Sequence, residues 1–162
     1  MEYERLLNLP DLLAKKSFFL FGPRGAGKTY LIRKQLPGAK VFDLLHAPTF
    51  GRLGRYPTLI EEESKDDDLV VIDEIQKSPR LLDEVHRLIE KSSRRFLLTG
   101  SSARKLKRGG VNLLPGRAWE ARLFPLTFKE IHNFVLEKYL LVGGLPVVYP
   151  SRMRIPEFME AG

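Results

Sequence analysis

Residues 22–29 read Gly-Pro-Arg-Gly-Ala-Gly-Lys-Thr, a GxxxxGK(S/T) spacing in which most residue types have a task beside a phosphate. The glycines let consecutive backbone N–H groups curl around phosphate oxygens, and a helix opening at Lys28 adds the positive end of its dipole. Lys28 has the reach and charge for the β- and γ-phosphates of a nucleotide, and Thr29 offers a hydroxyl to Mg2+. Gly22, Pro23, Arg24, Gly25, Ala26, Gly27, Lys28 and Thr29 are therefore the candidate phosphate-binding residues. The bare pattern should arise by chance in on the order of 1 in 200 chains of this length. Its position after an apolar run and before a helical one makes chance a poorer explanation still. Arg24 reads as solvent-facing or structural, because such a loop contacts its anion mainly through backbone groups.

A second constellation is Leu69-Val70-Val71-Ile72-Asp73-Glu74, an apolar strand with two carboxylates at its carboxyl end. Ligands of open α/β sheets bind beyond the carboxyl ends of the strands, which would bring Asp73 beside the phosphate loop to hold Mg2+, directly or through water. Glu74 would orient an attacking water. Two acids after a strand are often an ordinary loop; their value comes from standing with the glycine-rich loop. A third strand, Leu97-Leu98-Thr99-Gly100-Ser101-Ser102, ends in hydroxyls that either reach the γ-phosphate or cap a helix over 103–107. Gly116-Arg117 offers a planar cation that could neutralise transition-state charge, or a surface arginine in a turn.

These groups need a scaffold that brings strand ends together. Short apolar runs at 17–21, 39–43, 69–73, 95–99 and 119–124 predict five strands. Lys28 opens a helix over 28–35, closed by Pro37-Gly38. Ser78 as N-cap and Pro79 at N1 open another, with Leu81, Leu82, Val85, Leu88 and Ile89 on one face. Thr127 and Glu130 form a capping box that predicts a helix over 128–138. Strands alternating with helices, the central strands apolar throughout, predict an α/β parallel sheet covered on both faces.

With 162 residues, 43% of them hydrophobic and 29% charged, the chain has the composition of one globular domain. The absence of cysteine excludes disulfides, thiol nucleophiles and cysteine-rich zinc sites, and the three histidines are too scattered for a metal motif, so any metal must be oxygen-ligated. The longest apolar stretch, 139–149, is too short to span a bilayer, and the first residues lack the features of a secretory signal. The expectation is a cytoplasmic protein with no membrane partner. The net charge of +7 favours polyanionic partners. Nine basic residues stand against Glu120 alone between residues 91 and 122, with acidic blocks upstream at 61–63 and 66–68. Those blocks read as solvated helix ends and loops without function.

The chain resembles the prokaryotic AAA+-like ATPases that pair an N-terminal ATPase domain with a C-terminal domain of unknown function. The resemblance rests on GPRGAGKT at 22–29, VVIDEIQKSPRLLDEVHRLIE at 70–90, FLLTGSSARKLKRGGVNLLPGRA at 96–118, LFPLTFKEI at 123–131 and GGLP at 143–146. It implies a three-layer P-loop NTPase fold with a five-stranded sheet of order 5-1-4-3-2, and ATP as the nucleotide. It also implies Lys28 and Thr29 as Walker A, Asp73 and Glu74 as Walker B, and Ser101 at the sensor position. Arg117 falls where the family places an arginine finger, which usually serves a neighbouring subunit's nucleotide and so needs a homo-oligomer. Such proteins continue well past a GGLP segment. Residues 1–138 are accordingly expected to form the ATPase domain, 139–162 the truncated start of a helical region, and 150–162 a weakly anchored tail.

Two functions follow from these residues. The first is Mg-ATP hydrolysis, with Lys28, Thr29 and Asp73 binding, Glu74 orienting water, and Ser101 and Arg117 assisting. The alternative is a nucleotide-gated module that recruits a protein or DNA partner with negligible hydrolysis. A small-molecule phosphotransferase shares the loop but is disfavoured by Glu74, which suits water activation, and by the lack of an acceptor-pocket motif.

Overall fold

A computed structural model describes residues 3–108 and 113–150. Five strands, β1 (Ser17–Phe21), β2 (Lys40–Asp43), β3 (Leu69–Asp73), β4 (Arg95–Gly100) and β5 (Ala118–Arg122), form one parallel sheet in the order β2-β3-β4-β1-β5. Read from the other edge this is 5-1-4-3-2, the order the resemblance implies. Seven helices accompany the strands among the described residues: α1 (Leu9–Lys15), α2 (Lys28–Gln35), α3 (Ala47–Arg55), α4 (Leu59–Glu63), α5 (Leu81–Lys91), α6 (Ala103–Arg108) and α7 (Leu136–Val142).

The strand sequences explain the layers. Because side chains alternate along a strand, Phe19 and Phe21 of β1 face one side with Val70, Ile72, Phe96 and Leu98. There they meet Leu53 of α3, Ile60 of α4, Leu82, Val85 and Leu88 of α5, and Leu106 of α6. Phe18 and Leu20 face the other side with Val71 and Leu97, against Leu9 and Leu13 of α1 and Leu31 and Ile32 of α2. Central strands buried on both faces must be apolar at every position, which is why their sequences show no alternation. Among the described residues no helix is long and apolar enough to cross a membrane.

Three local expectations change. Helix α5 begins at Leu81 rather than Pro79. The Ser78 and Pro79 carbonyls accept from Leu81 and Leu82 N–H at 3.1 and 3.0 Å, a tight turn that leads into the helix without a side-chain cap. The Thr127–Glu130 capping box is present, but it closes one 3₁₀ turn, Phe128–Glu130, instead of a helix over 128–138. Asn133, at φ 55°, breaks the path before α7 resumes. Strand β5 lies one to two residues earlier than its apolar run suggests, at the sheet edge where Trp119 and Glu120 are exposed.

The acidic segment also has more structure than its sequence suggests. Glu61 pairs with Arg87 and Lys91 of α5, and Glu63 with Arg52 of α3, so α4 is latched to both neighbours. The two cations hold the Glu61 carboxyl down to about 2. A third small core joins Tyr3, Leu126, Ile131 and Tyr149, flanked by Phe134, Tyr139 and Val142. The tail expected beyond Pro150 lies outside the described residues.

Candidate functional site

Three parallel strands deliver the polar residues to one end of the sheet. Phe21 of β1 pairs with Gly100 of β4, and Ile72 of β3 with Leu98, so Asp73, Thr99 and the start of the glycine-rich loop stand side by side. The loop leaves β1 wedged between two strand ends. Gly22 N–H donates to the Gly100 carbonyl at 3.2 Å, and a Cβ on Gly22 would lie 2.3 Å from the Leu123 carbonyl oxygen, a backbone atom that cannot step aside. Gly25 and Gly27 take φ 79° and 93°, left-handed values that carry the chain around and into α2 with Gly27 as its N-cap.

Lys28 and Thr29 open α2 and point back to the strand ends. Lys28 is 6% exposed, and its Nζ donates to the carbonyls of Gly22 and Pro23 at 2.6 and 3.2 Å. Burial pulls the Lys28 ammonium below its usual range and Arg24 adds to that, while Glu74 and Asp73 oppose both. Thr29 Oγ1 donates to Asp73 Oδ2 at 3.0 Å. Asp73, at the carboxyl end of β3, is buried, and its Oδ1 accepts from the Thr99 hydroxyl. That hydroxyl in turn accepts from Glu74 N–H at 3.1 Å. Glu74 occupies the left-handed region at φ 61°, and its carboxylate accepts from the Gln76 side-chain amide. The other amide atom of that side chain, Oε1, is buried without a partner. Gly100 leaves it room, since a Cβ there would sit 2.7 Å away.

A cavity of about 590 Å³ opens over the loop, lined by Arg24, Gly25, Gly27, Lys28, Thr29, Tyr30 and Glu74. Tyr3 and Arg5 from the N-terminus and Pro146 and Val147 from the GGLP segment complete it. The structure therefore gathers Lys28, Thr29, Asp73 and Glu74 around one cleft. It does not bring Ser101 and Arg117 there. Ser101 lines an adjoining hollow on the other side of Gly22 and Pro23, with Arg104, Arg122 and Phe124, while Ser102 Oγ accepts from Arg104 N–H at 3.2 Å, the helix-capping alternative. Arg117 precedes β5 at the opposite end of the sheet, where Ala118 pairs with Ser17, and its guanidinium is bound to Glu90 of α5. A five-residue strand at about 3.3 Å per residue puts roughly 15 Å between it and the loop.

The family model described as AAA domain matches residues 14–132, which contain all five strands of the described sheet and the whole of the loop–strand constellation. The chain belongs to the AAA domain family. Membership makes it an AAA-type, nucleotide-binding ATPase domain in general terms. The sheet order is that of a P-loop NTPase, and two solved structures share the fold. One is a signal transduction ATPase with numerous domains and a tetratricopeptide repeat sensor from Pyrococcus horikoshii, at 16% identity and TM-score 0.58, covering 99% of this chain and 32% of that one. The other is the Aeropyrum pernix ORC1 protein in complex with DNA, at 17% identity and TM-score 0.50, covering 75% of this chain and 44% of that one. The chain thus spans less than half the length of either. Among curated proteins none is similar enough in sequence to match.

Sequence reasoning overlooked the part played by Thr99, although its place one strand over from Asp73 could have been inferred from the sheet order. Arg5, Tyr3 and Val147 carried no sequence signal. Their approach to the loop depends on how the two ends of the chain fold together.

The residues fit a nucleotide with its cation. A loop in which a Cβ on Gly22 is impossible, with two left-handed glycines and a lysine behind it, is a backbone cradle for an anion. Thr29 and Asp73 present adjoining hard oxygen donors, and the described residues hold no cluster of three or more acidic, histidine or cysteine ligands. That donor set suits an ion that takes its remaining ligands from phosphate and water, as Mg2+ does.

Proposed function

We propose that the chain binds Mg-ATP in the cleft over residues 22–29 and hydrolyses it when assembled with a second copy. The supporting observation is the convergence of two separate segments on one cavity, Lys28 and Thr29 from the start of α2 and Glu74 from the end of β3, with Asp73 joined to Thr29. Backbone N–H groups of the loop take the phosphates, and Lys28 exchanges its two carbonyl partners for phosphate oxygens, which carry a full charge and hold it better. Thr29 and Asp73 would hold Mg2+, which when bound neutralises charge on the phosphate oxygens. Thr99 fixes the Asp73 carboxylate and the peptide that aims Glu74. Glu74 accepts a hydrogen bond from a water and directs it in line at the terminal phosphorus. Positioning and electrostatics carry such a reaction.

Besides Lys28, the cleft of a single chain carries Arg24 and an Arg5 tied to Glu130, Ala26 and Phe124, whereas Arg117 is held by Glu90 far from its own loop. Arg117 can serve only a neighbour, so hydrolysis depends on a homo-oligomer. ATP as the base-specific choice, and the division into an ATPase domain over 1–138 and the beginning of a further helical region, belong to the same proposal. The test is phosphate release at saturating Mg-ATP as a function of protein concentration, with Glu74→Gln as control. Specific activity that rises with concentration and vanishes in Glu74→Gln supports the assembled hydrolase. Activity independent of Glu74 removes its role, and flat activity removes that of Arg117.

The second reading is a nucleotide-gated module with little hydrolysis, motivated by the same placement of Arg117. A DNA partner gains less support. Lys91, Arg94, Arg95 and Arg117, four of the nine cations between residues 91 and 122, are engaged with Glu61, Ser64, Leu13 and Glu90. Salt-sensitive retention of DNA at roughly 50–150 mM salt would favour the module.

A further inference from the structure

The peptide joining Ala26 to Gly27 lies in the middle of the loop and has little of its own to fix its direction. Gly27 has no Cβ and sits at φ 93°, so both faces of that peptide are sterically open to rotation. Its orientation decides the site. In a trans peptide the carbonyl and the following N–H point opposite ways, so wherever the Ala26 oxygen is held, the Gly27 N–H faces the other side.

Arg5 holds that oxygen. Its Nη1 donates to the Ala26 carbonyl at 2.8 Å, its Nε to Glu130 Oε1 at 2.8 Å and its Nη2 to the Phe124 carbonyl at 2.5 Å. The Arg5 and Glu130 side chains are only 6% and 4% exposed. Arg5 Nη1 and Pro146 Cγ each lie 3.9 Å from where a Cβ on Gly27 would be. Glu130 is itself fixed by N–H groups of Leu6 and Thr127 at 2.9 and 2.8 Å, so the guanidinium is clamped before it reaches the loop. An alternative occupant of such a position would be a hydrophobic residue, at lower desolvation cost, if the task were only to tie the two ends of the chain together.

We propose that Arg5 is a positioning residue of the nucleotide site, locking the Ala26–Gly27 peptide with its carbonyl outward so that the Gly27 N–H is presented to phosphate. The inference rests on the phosphate-loop reading above. A planar guanidinium reaches three acceptors from three segments at once, which a lysine cannot reproduce.

The experiment measures the dissociation constant for Mg-ATP, the melting temperature without nucleotide, and KM and kcat, for the full chain and for Arg5→Gln, Glu130→Gln and Lys28→Ala. Glu130→Gln loosens the same tie between the chain ends but leaves the Arg5–Ala26 bond available. The expected result is a loss of affinity of about tenfold or more in Arg5→Gln, with KM rising more than kcat falls, and less than about threefold in Glu130→Gln. Methylguanidinium added to Arg5→Ala restores part of the affinity. Affinity in Arg5→Gln within about twofold of the original chain, or equal losses in Arg5→Gln and Glu130→Gln, overturns the inference. If Arg5→Gln does not fold, Arg5→Lys decides by the same criteria. Binding by the original chain that Lys28→Ala abolishes but Arg5→Gln retains removes this inference alone; no binding by the original chain removes the nucleotide reading and this inference with it.

Discussion

Replacing Thr99 by valine keeps the shape of a fully buried side chain and deletes one oxygen. That oxygen bridges two groups, donating to Asp73 Oδ1 and accepting from Glu74 N–H. Thr99→Val therefore leaves a buried carboxylate oxygen short of a donor and a backbone N–H short of an acceptor. The first loss is worth about 1.5–3 kcal/mol, as for hydrogen bonds to charged groups, and the second about 1 kcal/mol if water reaches the half-buried Glu74. Valine recovers little, since the volume is unchanged. The expected destabilisation is about 2–4 kcal/mol, which for a chain of this size lowers the melting temperature by roughly 5–15 °C. Thr99→Ser, which keeps the hydroxyl, should lose less than half of that. The assay is urea denaturation of both variants, with and without Mg-ATP. If the bridge orients the acid pair, Thr99→Val also loses most of the nucleotide-dependent gain. A valine variant within about 0.5 kcal/mol of the original chain, with the nucleotide gain intact, would refute the reasoning, since a buried pair cannot lose its shared partner without cost.

Other perturbations are simpler to read. Lys28→Ala should abolish stabilisation by Mg-ATP, which for the original chain is about 2.7 kcal/mol at 100-fold excess over the dissociation constant and is measured by thermal shift. Gly22→Ala should unfold or strongly destabilise the chain, because the new methyl meets the Leu123 carbonyl at 2.3 Å between two paired strands; circular dichroism melting checks it. Burial alone would raise the Glu130 carboxyl, but the N–H groups of Thr127 and Leu6 and the Arg5 guanidinium outweigh it and hold the carboxyl below its usual range. A depressed carboxyl stabilises the fold above its unfolded value, near 4.3, and that contribution disappears as pH falls through the folded value. Denaturation midpoints should therefore drop more steeply on acidification below about pH 5 in the original chain than in Glu130→Gln, and parallel curves would contradict the assignment.

How much of this was legible in the sequence depends on how local each feature is. The strands at 17–21 and 69–73 coincide with their apolar runs because burial on both faces demands continuous hydrophobicity. The glycine-rich loop and Asp73-Glu74 are likewise contiguous patterns. The helix expected over 128–138 went wrong because a capping box specifies where a turn begins and says nothing of how far it propagates. Glu130 keeps its capping bond through Oε2, while its Oε1 accepts from Leu6 N–H and Arg5, 124 and 125 residues away along the chain, contacts that hold this turn in place and that no local pattern announces. Helices α1, α3 and α4 were not anticipated. Two of them contain glycine or proline, and α4 is a five-residue helix anchored by the buried Ile60 and flanked by exposed ion pairs to α3 and α5 that no local pattern announces. The nine basic residues between 91 and 122 suggested a cationic face, yet Lys91 and Arg117 are paired with Glu61 and Glu90, carboxylates lying far away in sequence.

The placement of Arg117 connects these observations to how an assembled enzyme could be regulated. In the single chain its guanidinium rests on Glu90, which it holds below the usual carboxylate range together with His86. Both side chains of that pair are well exposed, 39% and 53%, so solvent and salt screen it and it contributes little to the fold. A guanidinium parked on an exposed carboxylate is paired but readily released. A neighbouring subunit presenting a nucleotide's phosphates offers more negative charge than one carboxylate, in a less hydrated cleft, and would take the arginine from Glu90. Glu90→Gln should therefore leave the fold stable and shift the concentration dependence of phosphate release to lower protein concentration, because the arginine no longer has to be given up. A dependence that does not move would mean that breaking the Glu90 pair is no part of assembly, and Arg117 would then be a surface ion-pair residue. The same measurement separates the hydrolase from the gated module, since only a hydrolase has a rate for the released arginine to raise.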